Sequence, residues 1–353
     1  MARARWTALA VVAVLIAVGT AVSGCGSSEK GRDVRKVAFV APFSDNEPDW
    51  TLQAKEVVAE WPRRLGVRVD IADASQSDDV RAVLEQVARE GNQLVFAHDS
   101  RYAEAAEAVA EQTKVPQLVW GERPNAPEGL VGQIHVEDKE GGYMAGVVTA
   151  RSAYTRRIGI IVIADGSAWD TSTWNRMAGG FVAGARSIDP AVRITYAQVG
   201  EDGRATVRDV QEAAQRMLDR GTQMMFALGG AATVGALRAV EHTGDECQYV
   251  GVIGDKEKVN RLNYVLASVM YDTRPVFEQA MRDVRSGRFA ERPYELTLRN
   301  GGIWLFKTGR TPADAYEAGL DAGRKIQRGT LQVPETPTRT AVEELLAGET
   351  PAG

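Results

Sequence analysis

Short uncharged runs of strand character alternate with amphipathic helical stretches from Lys36 to Met270. This alternation limits the folds open to the 353-residue chain more than any other feature. Lys36–Ala41 (KVAFVA), Val67–Ile71, Gln93–Ala97, Gln117–Trp120 and Val131–Val136 read as strands, and their unbroken apolar character suits a parallel sheet covered on both faces. Helical patterns lie between the first four, over Trp50–Leu65, Asp78–Glu90 and Arg101–Thr113; in the second, Val80, Val83, Leu84 and Val87 form one buried stripe. A second series has strands at Arg157–Ile163, Arg193–Ala197, Gln223–Leu228, Tyr249–Ile253 and Tyr264–Met270. Its helices fall at Asp170–Ser187, Thr206–Arg220, with Gly221 at the C-cap, and Ala231–His242. Asp272 or Thr273 caps a further helix with Pro275 in its first turn. Ala341–Ala347 reads as a last short helix, with Thr340 and Glu343 spaced as a capping box. Two β/α series of this size predict an α/β fold of two doubly wound lobes. No glycine-rich linker divides them, which favours lobes joined by several chain crossings.

The first 24 residues read as an address. Arg3 and Arg5 precede an uncharged run from Leu9 to Val18, too short for a membrane span, and small residues follow. Val22-Ser23-Gly24-Cys25 then resembles the lipobox of bacterial lipoproteins, which implies acylation of the Cys25 thiol and cleavage before it. Removing Arg3 and Arg5 with the leader takes the formal charge from -5 to -7. Gly26 to Arg35 suits a flexible tether, and no later stretch is long and apolar enough to span a bilayer. Cys247 is then a free or buried thiol.

Composition excludes several classes. The acidic balance argues against general nucleic-acid binding. Two cysteines and three histidines make a disulfide framework or a multi-ligand zinc site improbable, so no metal or cofactor is expected. There is no G-x-x-x-x-G-K-[ST] loop, no G-x-G-x-x-G after the first strand and no G-x-S-x-G elbow. His98 stands beside Asp99 at a strand end, where a polar residue needs no catalytic reason.

A two-lobed α/β chain without catalytic signatures is expected to bind a ligand between its lobes, beyond the strand C-termini. The loops there carry the candidate residues. Asp45 and Asp49 either accept hydrogen bonds from a ligand or, for Asp49, cap a helix; Trp50 either stacks on a ring or packs in the core. Asp99 and Ser100 follow the third strand, and each either faces the ligand or caps the next helix. Trp169 follows the first strand of the second series and lines a cleft or packs between helices. Phe226 to Ala232 ends a strand with Gly229 and Gly230, which admit close approach to backbone. Asp255, after Tyr249–Ile253, can hold two hydroxyls in bidentate fashion or cap a helix.

These residues resemble, in order, the signatures of the basic membrane protein family of ABC-transporter substrate-binding lipoproteins, which includes purine nucleoside receptors. Asp49-Trp50-Thr51 resembles its first ligand loop, and Gly91 to Ala97 its "GnkLIFa" strand. Glu140-Gly141-Gly142-Tyr143-Met144-Ala145-Gly146 is similar to its E-G-x-Y-L-A-G helix. Gly180 to Arg186 resembles its G-F-x-A-G-A-K segment, and Gly251-Val252 with Asp255 its G-V-D-x-D-Q. The resemblance implies two lobes of the type I periplasmic-binding-protein kind joined by three hinge crossings. One lobe is expected over 36–134 with about 270–298, the other over 135–269 with about 299–335, and a tail over 336–353. It implies no enzymatic activity, an ABC permease as partner and a lipid-anchored place on the extracytoplasmic face of the cell membrane. It also implies a nucleoside-like ligand, with Trp50 and Phe226 stacking on the base, Asp45 or Asp49 reading its edge, Gly230 against the ribose and Asp255 on the ribose hydroxyls. The E-G-x-Y helix is expected to be structural, its small residues permitting close packing. The chain departs from the family at Ile253, Lys256 and Tyr271, the last replacing the Lys of S-x-x-K; Tyr271 thereby joins the residues expected to select the ligand. A sugar receptor and a ligand-sensing subunit are the alternatives, with a surface nucleosidase using Asp45, Asp49 and Asp99 behind them.

Overall fold

The computed structural model describes residues 33–349 except 43–47, 76, 78, 124, 154–155, 165–167, 201–204, 245 and 254–263, and only the backbone of 48–50 and 168–169. The expected leader and Cys25 lie outside the described residues. Among them, twelve strands form two six-stranded sheets. In the first lobe β1 (Lys36–Ala41), β2 (Arg68–Asp73), β3 (Val95–Ala97), β4 (Gln117–Trp120) and β5 (Val131–Val136) are joined by β11 (Tyr294–Leu296). Their order is β11-β5-β4-β3-β1-β2, and every pairing is parallel. The second lobe holds β6 (Arg157–Ile163), β7 (Arg193–Val199), β8 (Met224–Leu228), β9 (Gln248–Val252), β10 (Val265–Tyr271) and β12 (Ile303–Lys307). Their order is β12-β10-β9-β8-β6-β7, with β12 alone antiparallel, against β10. This is the α/β architecture the alternation predicts.

The first lobe carries α1 (Pro48–Ala59), α2 (Trp61–Leu65), α3 (Val80–Arg89) and α4 (Ala103–Thr113). The single helix expected over Trp50–Leu65 is two. Glu60 breaks it, Pro62 sits in the first turn of α2, and Gly66 ends α2 in the left-handed region. Asp79 starts α3 by accepting from the Ala82 amide at 3.2 Å. Under these helices Trp61 stacks on Phe277 with ring centroids 3.6 Å apart, beside a cluster of Phe39, Phe96 and Trp120.

In the second lobe α5 (Asp138–Ser152) crosses α6 (Ala168–Ile188) at very short range. A Cβ on Gly142 or Gly146 would overlap the Met177 or Phe181 carbonyl oxygen. Reciprocally, one on Gly180 or Gly184 would overlap the carbonyls of Lys139 or Tyr143. The four glycines of the two motifs thus form one backbone-to-backbone crossing, as the structural reading of the E-G-x-Y helix expects. The second lobe also carries α7 (Val207–Leu218), α8 (Gly230–Glu241), α10 (Ala313–Gln327) and α11 (Arg339–Ala347), whereas α9 (Arg274–Ser286) packs on the first lobe through Phe277.

The last helix starts earlier than expected. Thr338, not Thr340, is its cap and accepts from the Ala341 amide, while Glu343 pairs with Arg339 at 2.7 Å. The segment that leads into and forms this helix is tied to the second lobe. Thr336 and Val342 are fully buried, Thr336 donates to the Asn175 carbonyl at 3.0 Å, and Arg186 holds the Leu346 carbonyl at 2.6 Å. Cys247 is a free, buried thiol whose pKa burial pushes up to about 12, so it is inert.

The chain passes between the sheets three times: from β5 to α5, from β10 through α9 to β11, and from β11 to β12. The crossings lie side by side. The Glu137 amide donates to the Leu296 carbonyl at 3.0 Å, and the Asp272 amide to the Gly302 carbonyl at 2.8 Å. The Leu298 amide donates to Glu140 Oε2 at 2.8 Å.

Candidate functional site between the lobes

Strand order locates the site. In the first sheet the order reverses between β1 and β3, and in the second between β6 and β8. Ligands of open α/β sheets bind at such switch points, outside the strand C-termini. There the first sheet presents Pro42 and His98-Asp99-Ser100, and the second Ala164 and Gly229-Gly230. The two ends meet. Ser100 Oγ donates to Asp170 Oδ2, in the first turn of α6, at 2.8 Å, a bond from one lobe to the other. At the hinge side, Gln53 Nε2 donates to the Tyr271 carbonyl at 2.5 Å.

Backbone shape at the second switch point requires glycine. Gly229 adopts φ +105°, and a Cβ there would overlap Ile163. Gly230 opens α8, whose N-terminus has no side-chain cap, so its first amides are left for other partners. Trp174, half-buried one turn after Asp170, brings its indole nitrogen beside Gly229.

Of the expected site residues, Asp45 and Asp255 lie outside the described residues, as do the side chains of Asp49, Trp50 and Trp169. Asp49 and Trp50 fall in the first turn of α1, and Trp169 in that of α6. Gly230 is at the switch point. Three assignments change. Phe226 is not a cleft residue, because β8 runs on to Leu228 and leaves it in the strand interior. It is fully buried, with its ring stacked on Phe181 at 4.4 Å. Asp99 spends its carboxylate within its own loop. It accepts from the Arg101 amide at 2.8 Å and binds the Arg101 guanidinium through both oxygens, so it shapes the turn. Tyr271 is buried at the end of β10, and its hydroxyl donates to Asp138 Oδ1 rather than facing a ligand. His98 likewise belongs to the core, accepting from Trp120 Nε1 at 3.2 Å among the rings of Phe39 and Phe96.

Sequence reasoning missed Asp138. It is buried in the first turn of α5, where acids are common as caps, and nothing local marks it as unusual. Burial pushes its pKa up to about 8, outweighing the hydrogen bond from Tyr271 and the charge of Arg176. Trp174 was equally illegible, since a tryptophan at helical spacing reads as core. Among the described residues no group of three or more His, Cys, Asp or Glu is arranged to hold a metal ion. No described helix is long and apolar enough to cross a membrane.

Comparison with known proteins agrees with this geometry. Over 92% of its length the chain is 23% identical to the ABC transporter nucleoside-binding protein BmpA of Lactococcus lactis subsp. cremoris, covering 98% of that protein. It is 20% identical to the transcriptional activator protein med of Bacillus subtilis, over 80% of the chain and 85% of the relative. A solved ABC transporter solute-binding protein from Conexibacter woesei superposes with a TM-score of 0.67 at 23% identity, over 86% of this chain and 99% of that one. The family model for ABC transporter substrate-binding proteins described as PnrA-like matches residues 35–325. Two sheets whose switch points face each other across three crossings, under a family match that spans both lobes, place the chain in the basic membrane protein (Bmp) family of ABC transporter substrate-binding proteins.

Proposed function

We propose that the protein is a lipid-anchored receptor that captures a nucleoside or a related small molecule outside the cytoplasm and delivers it to an ABC permease. The observation that carries the binding mode is the meeting of the two switch points through Ser100 and Asp170. A ligand held there touches both lobes, so binding favours the closed arrangement, and the permease reads closure. The nucleoside class is supported by the nucleoside-binding relative from Lactococcus lactis and by the family signatures. In this reading Trp50 stacks on the base from the first lobe. Trp174 replaces Phe226 as the aromatic of the second. Asp45 or Asp49 reads the base edge, Gly230 lies against the ribose and Asp255 binds its hydroxyls, with Trp169 at the rim. No step of chemistry is assigned to any of them.

Two measurements bear on this reading. Asp255→Ala should weaken binding of adenosine or inosine by roughly tenfold to a hundredfold, as expected for loss of charge-assisted hydrogen bonds, and leave any binding of the free base nearly unchanged. Equal losses for both would remove the ribose role. Cys25→Ser should move the protein from the membrane fraction to the soluble extracytoplasmic fraction, because the anchor is the acyl chains on that thiol. Retention in the membrane would defeat the lipid anchor.

A further inference from the structure

One side chain of the first lobe reaches the second lobe with one end and leaves its other end unpaired. Gln53 lies in the second turn of α1, the helix that follows β1. Thr51, 3% exposed, donates its hydroxyl to the Pro42 carbonyl at 2.6 Å. That bond seats the start of α1 on the end of β1, at the first switch point. From there Gln53 Nε2 donates at 2.5 Å to the carbonyl of Tyr271, the last residue of β10 in the second lobe.

The partner fixes how the amide is turned. A carbonyl oxygen only accepts, so the NH2 group faces Tyr271 and Oε1 is the end left over. Gln53 Oε1 is buried and has no hydrogen-bond partner among the described residues. Of the buried side-chain atoms in that condition, it alone belongs to a residue that bonds across the lobes. A buried acceptor without a donor costs free energy that a partner would return. Joining the lobes does not require that cost, because the donor end alone makes the bond. Gln53 also stands one turn along α1 from Trp50, at a spacing that shares a helix face.

We propose that Gln53 is a specificity-determining residue of the cleft. Its Oε1 accepts a hydrogen bond from a hydroxyl or N–H group of the bound solute, while its Nε2 holds the second lobe. The two bonds form together only when the lobes meet, so one amide couples recognition of a donor to closure. A solute that presents an ether oxygen, a carbonyl or a phosphate oxygen at this place sets acceptor against acceptor and is rejected. This rests on binding between the lobes, as proposed above, and not on the solute being a nucleoside.

Gln53→Met tests the assignment, because it keeps the reach of the side chain and removes both donor and acceptor. Gln53→Ala serves if that variant does not fold. The chain 26–353 is titrated with adenosine, inosine, cytidine and uridine. Each is set against its 2′-, 3′- and 5′-deoxy analogues, and adenosine also against purine riboside, which lacks the exocyclic amine. In wild type, one analogue should bind about tenfold more weakly than its parent. In Gln53→Met the parent should weaken by about tenfold, and that analogue should then bind within about twofold of it.

Two further measurements use no ligand. Spin labels on Glu104→Cys and Arg208→Cys, exposed in the first turns of α4 and α7 on opposite lobes, report the inter-lobe distance. Loss of the bond to Tyr271 should lower the closed-to-open ratio by about twofold to tenfold in Gln53→Met. The melting temperature of the empty variant should stay near that of wild type. Undiminished discrimination in Gln53→Met overturns the assignment and gives Oε1 to water. An unchanged distance distribution or a large fall in the melting temperature overturns it as well. Absence of binding by every nucleoside removes the nucleoside class, and the two ligand-free measurements then decide Gln53.

Discussion

Gly142→Ala should cost the fold about 3 kcal/mol or more, at the upper end of what overpacking a core does. The added methyl would overlap the Met177 carbonyl oxygen. A backbone atom cannot rotate away as a side chain can, so α5 and α6 must separate. Separation also loosens Gly146, Gly180 and Gly184, each seated on the partner helix's backbone. Since α5 carries Asp138 and Glu140, the damage reaches the hinge. Chemical denaturation of the ligand-free protein reads the loss, with Gly309→Ala as the control. Nothing lies within 4 Å of a Cβ at Gly309, so that variant should stay within about 0.5 kcal/mol of wild type. Equal stabilities for the two variants would contradict the close crossing.

Phe226→Ala should also destabilise the empty protein, by about 3–5 kcal/mol, as large-to-small changes of fully buried aromatics do. Phe226 sits in β8, between β6 and β9, with Ile160 and Val250 in register, and its ring lies on Phe181 at an interplanar angle of 17°. No part of it is exposed, so its removal leaves a cavity rather than a vacant stacking face. A ligand-free melting temperature close to wild type, coupled to a large loss of nucleoside affinity, would return Phe226 to the binding site and displace Trp174.

The fold was legible because buried parallel strands leave a strong trace. Runs such as KVAFVA and RIGIIVI stay apolar on both faces and match β1 and β6 residue for residue. Boundaries failed where one side chain decides. Glu60 and Pro62 split the first helix within a continuous helical pattern, and Thr338 outcompeted Thr340 as a cap. The cleft was legible as loops but not as side chains. Asp99 stands just past the end of β3, and Phe226 lies two residues short of the end of β8. Whether such a residue faces ligand depends on where the strand stops and on what its neighbour offers. For Phe226 two further strand residues bury the ring, and for Asp99 the adjacent Arg101 claims both oxygens. The Asp138–Tyr271 pair was illegible for another reason. The two meet only because α5 packs on β10, and no local pattern records a contact across 133 residues.

The most direct test is calorimetric titration of residues 26–353, unfolded and refolded to strip any carried ligand, with adenosine, inosine, cytidine, uridine, their free bases and ribose. The account predicts tight binding of at least one nucleoside, with its base and ribose each bound far more weakly, because stacking and the ribose contacts act together only in the intact ligand. Absence of binding by every nucleoside, or tight binding of ribose alone, would contradict it.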